Sequence, residues 1–153
     1  MKSKVTQIRE MSVIEKELNA GRLGVLAFNS EDEEIIQTVE PFLYADKNIY
    51  FFFEETDEIY SQIIYENNVS FTVYKTDNQK KNAETASSYK FVQVKCLGTI
   101  KKVDEIKTAE ELYRQFVKKY TSTTDEERNE SLSGVRAIFI DTEEIQASDI
   151  QGL

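Results

Sequence analysis

The sequence predicts a mainly β protein: a six-stranded antiparallel barrel with peripheral helices, formed by one domain that spans residues 1–153. Short apolar runs follow one another across brief polar turns, which favours antiparallel neighbours over parallel strands joined by long crossovers. The predicted helices do not alternate one for one with the strands, which argues against a doubly wound sheet. A hydrophobic fraction of 40% is enough for a substantial core.

The first predicted element is a helix that leads into a buried strand. Ser12 and Glu15 stand at capping-box spacing, Ile14 and Leu18 share a helix face, and Gly21 suits the helix end. The segment "RLGVLAF" then has the continuous apolar character of a buried strand.

Two further strands are predicted on either side of a tight turn. The second strand is "IIQTVEPFLYA", "DKN" turns the chain, and "IYFFF" is the third strand. Pro41 lacks a backbone N–H donor, so it predicts an edge position, a bulge or a place in the second strand where no ladder donor is required.

A second helix and a fourth strand follow. Apolar residues four apart predict the helix over residues 56–68, with Thr56 or Asp57 as its cap. The segment "VSFTVYK" alternates cleanly, and its predicted buried face consists of Val69, Phe71 and Val73.

The long segment 89–103 is predicted to be the fifth strand, after a polar loop over residues 76–88 that we expect to be mobile. Its alternation separates two faces, of which one has Val92, Val94, Cys96 and Ile100 and the other has Phe91, Gln93, Lys95 and Leu97.

The last predicted elements are a helix over residues 108–120 and a sixth strand over residues 134–142. Thr108 and Glu111 repeat the capping-box spacing at the helix start. Residues 121–131 are polar and predict a loop or a short helix.

Composition excludes several function classes. The net charge of −9 and the pI of about 4.7 argue against nucleic acid or an anionic membrane as a partner. The absence of histidine removes serine–histidine and cysteine–histidine catalysis and the commonest metal and haem ligand. The one cysteine, Cys96, stands in an apolar run and is expected to be a buried thiol, which suits a reducing cytoplasm. No apolar run is long enough for a signal peptide or a membrane span.

An acidic turn follows the third strand. Glu54, Glu55, Asp57 and Glu58 stand where a strand passes into a helix, a place where free N–H groups commonly bind anions. Carboxylates repel a phosphate at such a place unless other donors compensate.

The order of these segments resembles a known family. The helix ending in "GRLGVLAF", then "TVEPFLYADKNIYFFF", "IIYENNVSFTVY" and "YKFVQVKCLGTIKKV" is similar to the FMN-binding split β-barrels related to pyridoxamine 5'-phosphate oxidase. The similarity covers nearly the whole chain and is closest to the nitroimidazole-resistance and general-stress branches.

The resemblance implies a homodimer with two FMN sites at its interface and a small-molecule substrate. At the family's phosphate site this chain has Glu40 in place of a basic or polar residue and Ile59 in place of a lysine. Phe52 replaces a histidine found in some relatives, and Gln93 aligns with a common serine. By position, the implied cofactor-binding residues are Glu40, Pro41, Phe53, Glu54, Ile59 and Gln93. If FMN binds, Thr56 and Ser61 are the expected hydroxyl donors and Lys95 the expected compensating positive charge.

The acidic runs "EETDE" and "EDEE" lack the spacing of a calcium loop, so a carboxylate-only metal site is less favoured than a solvated run of charges, and no metal is predicted. Three functions stay open at this point. The first is an FMN-dependent reductase or oxidase of an unidentified small molecule, in which the flavin supplies the redox chemistry. The second is a flavin-free barrel dimer that binds another ligand or a protein. The third is haem binding through a tyrosine or Cys96.

Overall fold

A computed structural model describes residues 3–76, 89–121 and 132–152. These residues form eight strands and three helices. In chain order they are β1 (Ser3–Ile8), α1 (Met11–Ala20), β2 (Leu23–Asn29), β3 (Ile35–Pro41), β4 (Leu43–Ala45), β5 (Asn48–Glu54), α2 (Glu58–Gln62), β6 (Asn68–Thr76), β7 (Tyr89–Lys102), α3 (Ile106–Tyr120) and β8 (Val135–Gly152).

All described strands join one antiparallel sheet, in the order β3-β2-β6-β7-β8-β5-β4, with β1 paired to β8. The sheet curls, because strands from β2 at one side to β5 at the other all pack on the same core cluster. This confirms the predicted fold class, a mainly β split barrel with peripheral helices. Pro41 ends β3, whose one neighbour among the described strands is β2, so the predicted edge position is confirmed.

The main core lies on the concave face of the sheet and is rich in aromatic rings. Phe71 is fully buried and packs edge-on against Phe42 and Phe51, with ring centroids 4.9 and 5.0 Å away. The predicted faces of β6 and β7 are confirmed, since Val69, Phe71, Val73, Val94, Cys96 and Ile100 are all buried. Burial raises the pKa of the Cys96 thiol to about 12, as expected for an inert core cysteine.

A second apolar cluster attaches α3 to the other face of β4, β5 and β8. Leu112 of α3 packs there with Leu43 and Tyr50. Phe116 contributes an aromatic contact, with its ring centroid 4.9 Å from that of Phe52. The helix therefore covers the convex side of the strands that lead to the acidic turn.

The strand count differs from the six expected for two reasons. The predicted second strand breaks at Phe42 into β3 and β4, and the N-terminal segment forms β1, which the sequence analysis did not anticipate. In addition, β8 continues far beyond residue 142, because β7 and β1 provide backbone partners on both sides of residues 147–152.

Both predicted capping boxes are wrong. The helices begin at Met11 and Ile106, with Glu10 and Glu105 as N-caps that make no side-chain capping bond, so Ser12 and Thr108 lie inside the first turn. Helix α1 ends before Gly21, as predicted, and Gly21 itself has an extended backbone. A Cβ at Gly21 would lie 2.7 Å from Val73 Cγ1, so only glycine allows this close approach.

The predicted helix over residues 56–68 is reduced to Glu58–Gln62. Ile63 adopts an extended conformation, and with Tyr65 it packs against the main core, so tertiary burial replaces helix propagation there. The turn "DKN" is confirmed: Asp46 and Lys47 both have positive φ, as a tight two-residue hairpin requires.

The loop predictions for residues 77–88 and 122–131 lie outside the described residues. Within the described part of the chain, the longest helix has 15 residues, and none has the length and apolar character of a transmembrane span.

Candidate functional site

The turn between β5 and α2 is tied to its surroundings by its own acids. Asp57 caps α2 by accepting a hydrogen bond of 2.7 Å from the Ile59 N–H, which confirms one of the two predicted caps. Glu55 forms an ion pair of 2.6 Å with Arg136 on β8, and the Glu55 N–H donates to the Gly134 carbonyl. The acids thus hold the turn against the sheet.

Glu40 of β3 faces this turn across the edge of the barrel. It is half-buried, and its pKa is raised from 4.5 to about 7, first by burial and second by the negative charge of Asp57. None of the ion pairs among the described residues involves Glu40 or Asp57. In the described part of the chain, the structure therefore brings two carboxyl groups close to each other, and neither forms an ion pair.

The other predicted residues of this region have mixed environments. Phe53 is buried and stacks at 6.1 Å on Tyr60, and Ile59 packs against the core. Glu54 and Thr56 are exposed. The Ser61 hydroxyl donates to the Glu58 carbonyl at 2.6 Å, so its proton is engaged by the helix.

Gln93 and Lys95 lie on the convex face of β7, away from this turn. Gln93 and Lys95 pair with Tyr74 and Thr72 of β6, which flank the buried Val73 and therefore face the opposite side of the sheet from it. Glu40 pairs with Gly24 of β2, which faces the opposite side from the exposed Leu23 and therefore lies on the buried, concave side. Within one chain, the predicted residues therefore fall into two groups on opposite faces of the sheet.

Sequence reasoning missed a cationic cluster at the corner between β3 and β4. Lys119 Nζ lies 4.0 Å above the ring centroid of Phe42 and donates to the Phe42 carbonyl at 3.0 Å. The Tyr120 hydroxyl accepts from the Phe42 N–H at 3.0 Å and lies 2.6 Å from the carbonyl oxygen of Arg22. The guanidinium of Arg22 in turn lies 4.9 Å from the Tyr120 ring centroid.

The electrostatics of this cluster are unusual for so acidic a chain. The pKa of Lys119 is lowered to about 8, first by burial and then by the positive charge of Arg22. Lys119 and Arg22 are therefore close enough for their positive charges to repel each other. The pairing joins residues almost one hundred positions apart, so no local pattern in the sequence signals it.

Sequence comparison places the chain in a family. The family model described as pyridoxamine 5'-phosphate oxidase matches residues 11–148. The chain belongs to this family. No curated protein is significantly similar to it in sequence.

Solved structures share the fold at low identity. A proposed 5-nitroimidazole antibiotic resistance protein from Bacteroides thetaiotaomicron superposes with a TM-score of 0.75 at 13% identity, covering 99% of this chain and 90% of that one. An FAD-binding protein from Mesorhizobium loti gives 0.68 at 16%, covering 95% and 97%. The FAD-binding protein from Mycobacterium smegmatis gives 0.64 at 14%, covering 94% and 98%. These matches support the split-barrel fold of the family.

The acidic turn does not fit a phosphate dianion while its carboxyl groups are ionised. The Ile59 N–H, a donor at the start of α2, already serves Asp57. Arg136 is paired with Glu55, and Glu40 and Asp57 face each other. At roughly 4 Å, each carboxylate opposes a phosphate charge by about 1 kcal/mol in water and more at a protein surface.

Proposed function

We propose that this chain is a cytoplasmic flavin-binding protein, specifically an FMN-dependent reductase or oxidase of a small molecule. The observation that carries the proposal is the match of the family model to residues 11–148, on a chain that folds as the family's split barrel. A flavin supplies redox chemistry, which suits a chain without histidine. The FAD-binding neighbours support a flavin as the cofactor class.

The charges at the turn determine the affinity that we expect. Glu40 and Asp57 lie where the family's phosphate site is implied, so flavin binding should be weaker than a basic site would give. Glu40→Arg converts the repulsion into an attraction and places a cation beside Asp57. Ile59→Lys restores the family's positive charge at the start of α2.

Titration of FMN fluorescence tests this proposal. We expect either substitution to tighten FMN binding by about tenfold, from one added charge contact of roughly 1–2 kcal/mol. Glu34→Arg, in the exposed turn before β3, makes the same charge change as Glu40→Arg at a remote site and should leave the affinity unchanged. Tight binding by the unmodified chain with no gain in either variant would show that the phosphate lies elsewhere.

A second candidate is a flavin-free barrel that binds another ligand or a protein. The unneutralised pair Glu40 and Asp57 favours it, because this pair opposes the phosphate. If neither the unmodified chain nor the Glu40→Arg/Ile59→Lys double variant quenches flavin fluorescence, this function replaces the first.

We also propose that the functional unit is a homodimer that pairs through the convex face of β2, β3, β6 and β7. Leu23 and Val39 project from this face, with 56% and 61% of their surfaces exposed. Lys95 is the one charged residue among the positions that face the convex side in four segments, residues 23–29, 35–41, 68–76 and 91–99. In a chain of net charge −9, such a face allows two copies to approach with little repulsion.

A further inference from the structure

A pocket of about 290 Å³ lies between the C-terminal end of α1 and the ends of β6 and β7. It shares no residue with the acidic turn, so its binding of a ligand can be measured separately from flavin binding. Its wall is apolar and includes Val73, Val92 and Val94, of which the first and last belong to the main core. An apolar cavity of roughly 150 Å³ already accommodates a benzene ring, so this pocket has room for one ring and a polar head.

Among the described residues, three charged side chains line the rim of the pocket. Arg22 and Lys75 contribute positive charge, and Glu17 contributes negative charge. None of the three takes part in an ion pair among the described residues. The net charge of the rim is therefore positive in a strongly acidic protein, and the local field attracts anions.

Arg22 is held in place from behind. Its guanidinium lies 4.9 Å from the centroid of the Tyr120 ring, and its carbonyl accepts from the Tyr120 hydroxyl at 2.6 Å. Lys119 lies 5.2 Å from the centroid of the same ring, so a second cation adds to the positive field. The contact with the Tyr120 ring restrains the guanidinium, which reduces the conformational freedom that Arg22 loses when it meets a ligand.

We propose that this pocket binds a small organic anion, with a carboxylate or phosphate head against Arg22 and Lys75 and an apolar ring against the valine wall. The guanidinium suits a two-oxygen head, to which it can donate two parallel hydrogen bonds. The valines exclude water behind the ring and supply an apolar contact. Glu17 opposes the head, so it limits affinity and disfavours a second negative charge.

Benzoate, phenyl phosphate and the neutral isostere benzamide are suitable probes, followed by NMR shifts of the Gly21 and Arg22 amides and the valine methyl groups. We expect saturable shifts with benzoate or phenyl phosphate at least fivefold tighter than with benzamide. If phenyl phosphate binds more tightly than benzoate, the preferred head is a phosphate. If benzoate binds as tightly or more tightly, the preferred head is a carboxylate. Equal affinity for benzamide, or no shift at these groups, overturns the proposal.

Charge variants test the assigned contacts. Arg22→Gln and Lys75→Gln should each weaken benzoate binding by about fivefold, and Glu17→Gln should tighten it by about threefold. Lys16→Gln, on the exposed part of α1, removes the same charge outside the pocket and should change nothing. Unchanged affinity in both Arg22→Gln and Lys75→Gln, or weaker binding in Glu17→Gln, contradicts the placement of the head. This readout does not involve flavin, so it is independent of the FMN titration.

Discussion

Glu40 is a single side chain whose ionisation affects folding. Its pKa in the folded chain, about 7, lies above its ordinary value of 4.5 because burial and Asp57 both oppose the charged form. The folded chain therefore holds this proton more tightly than the unfolded chain. The resulting stabilisation is complete below about pH 4.5 and is lost as the pH rises through about 7.

Glu40→Gln should remove this dependence. Between pH 5 and pH 8, the unfolding free energy of the unmodified chain should fall relative to that of the variant by about 1 kcal/mol, after allowance for solvent screening of a half-buried group. Urea denaturation at the two pH values measures the difference. Glu54→Gln, at an exposed site of the same region, should behave like the unmodified chain. A pH dependence unchanged in Glu40→Gln would refute the assignment.

The same residue shows where sequence reasoning stops. The acids that follow β5 are visible as a run, and the local cap by Asp57 was predicted because capping is a short-range effect. That Glu40 lies near Asp57 depends on where the fold places β3 relative to the turn before α2, which no spacing encodes. The aromatic and cationic contacts among Arg22, Phe42 and Tyr120 were missed for the same reason.

Among the elements, α3 is anchored at its C-terminal end by Lys119, which donates to the Phe42 carbonyl, and by the hydroxyl of Tyr120. Tyr120 accepts from the Phe42 N–H, in the break between β3 and β4, where Phe42 has no ladder partner. This contact lets the edge strand bend without leaving a partly buried donor unsatisfied. The hydroxyl therefore joins the helix to the corner that orients Glu40 and Pro41.

Tyr120→Phe should destabilise the fold by about 1–2 kcal/mol, because it removes the acceptor and leaves the Phe42 N–H without its partner. Tyr74→Phe, at a tyrosine whose surface is 61% exposed, should change the stability by less than about 0.5 kcal/mol. Thermal or urea unfolding of both variants makes the comparison. Equal effects of the two substitutions would show that the Tyr120 hydroxyl does not anchor α3.

Strand prediction succeeded where one face is buried and failed where pairing alone defines the strand. The alternation of β6 and β7 reflects burial of one face, so it is visible in the sequence. By contrast, the described side chains of β1 are nearly all exposed, and the second half of β8 carries mixed polar residues. Backbone hydrogen bonds to neighbouring strands hold these segments extended, and they leave no hydrophobic pattern.

At the scale of the whole molecule, the proposed dimer rests on the low charge of the convex face of β2, β3, β6 and β7. A surface dominated by carboxylates keeps chains of net charge −9 apart elsewhere. The predicted site residues Gln93 and Lys95 lie on this face, whereas Glu40 points to the other side of the sheet. Pairing through this face would therefore bury Gln93 and Lys95 in the interface. Both residues would lie on the opposite side of the sheet from Glu40 of their own chain.

Val39→Lys should dissociate the proposed dimer, since it puts one buried, unpaired ammonium of each copy into an apolar contact. Light scattering at micromolar concentration should give twice the 17.7 kDa chain mass for the unmodified protein and the single-chain mass for the variant. Ile106→Lys makes a similar change at a side chain that is 70% exposed on α3, outside this face, and should leave the mass doubled. A dimer that survives Val39→Lys but separates with Ile106→Lys would move the interface to α3. A single-chain mass for the unmodified protein would remove the dimer altogether, and Gln93 and Lys95 would then have no route to a site shared between copies.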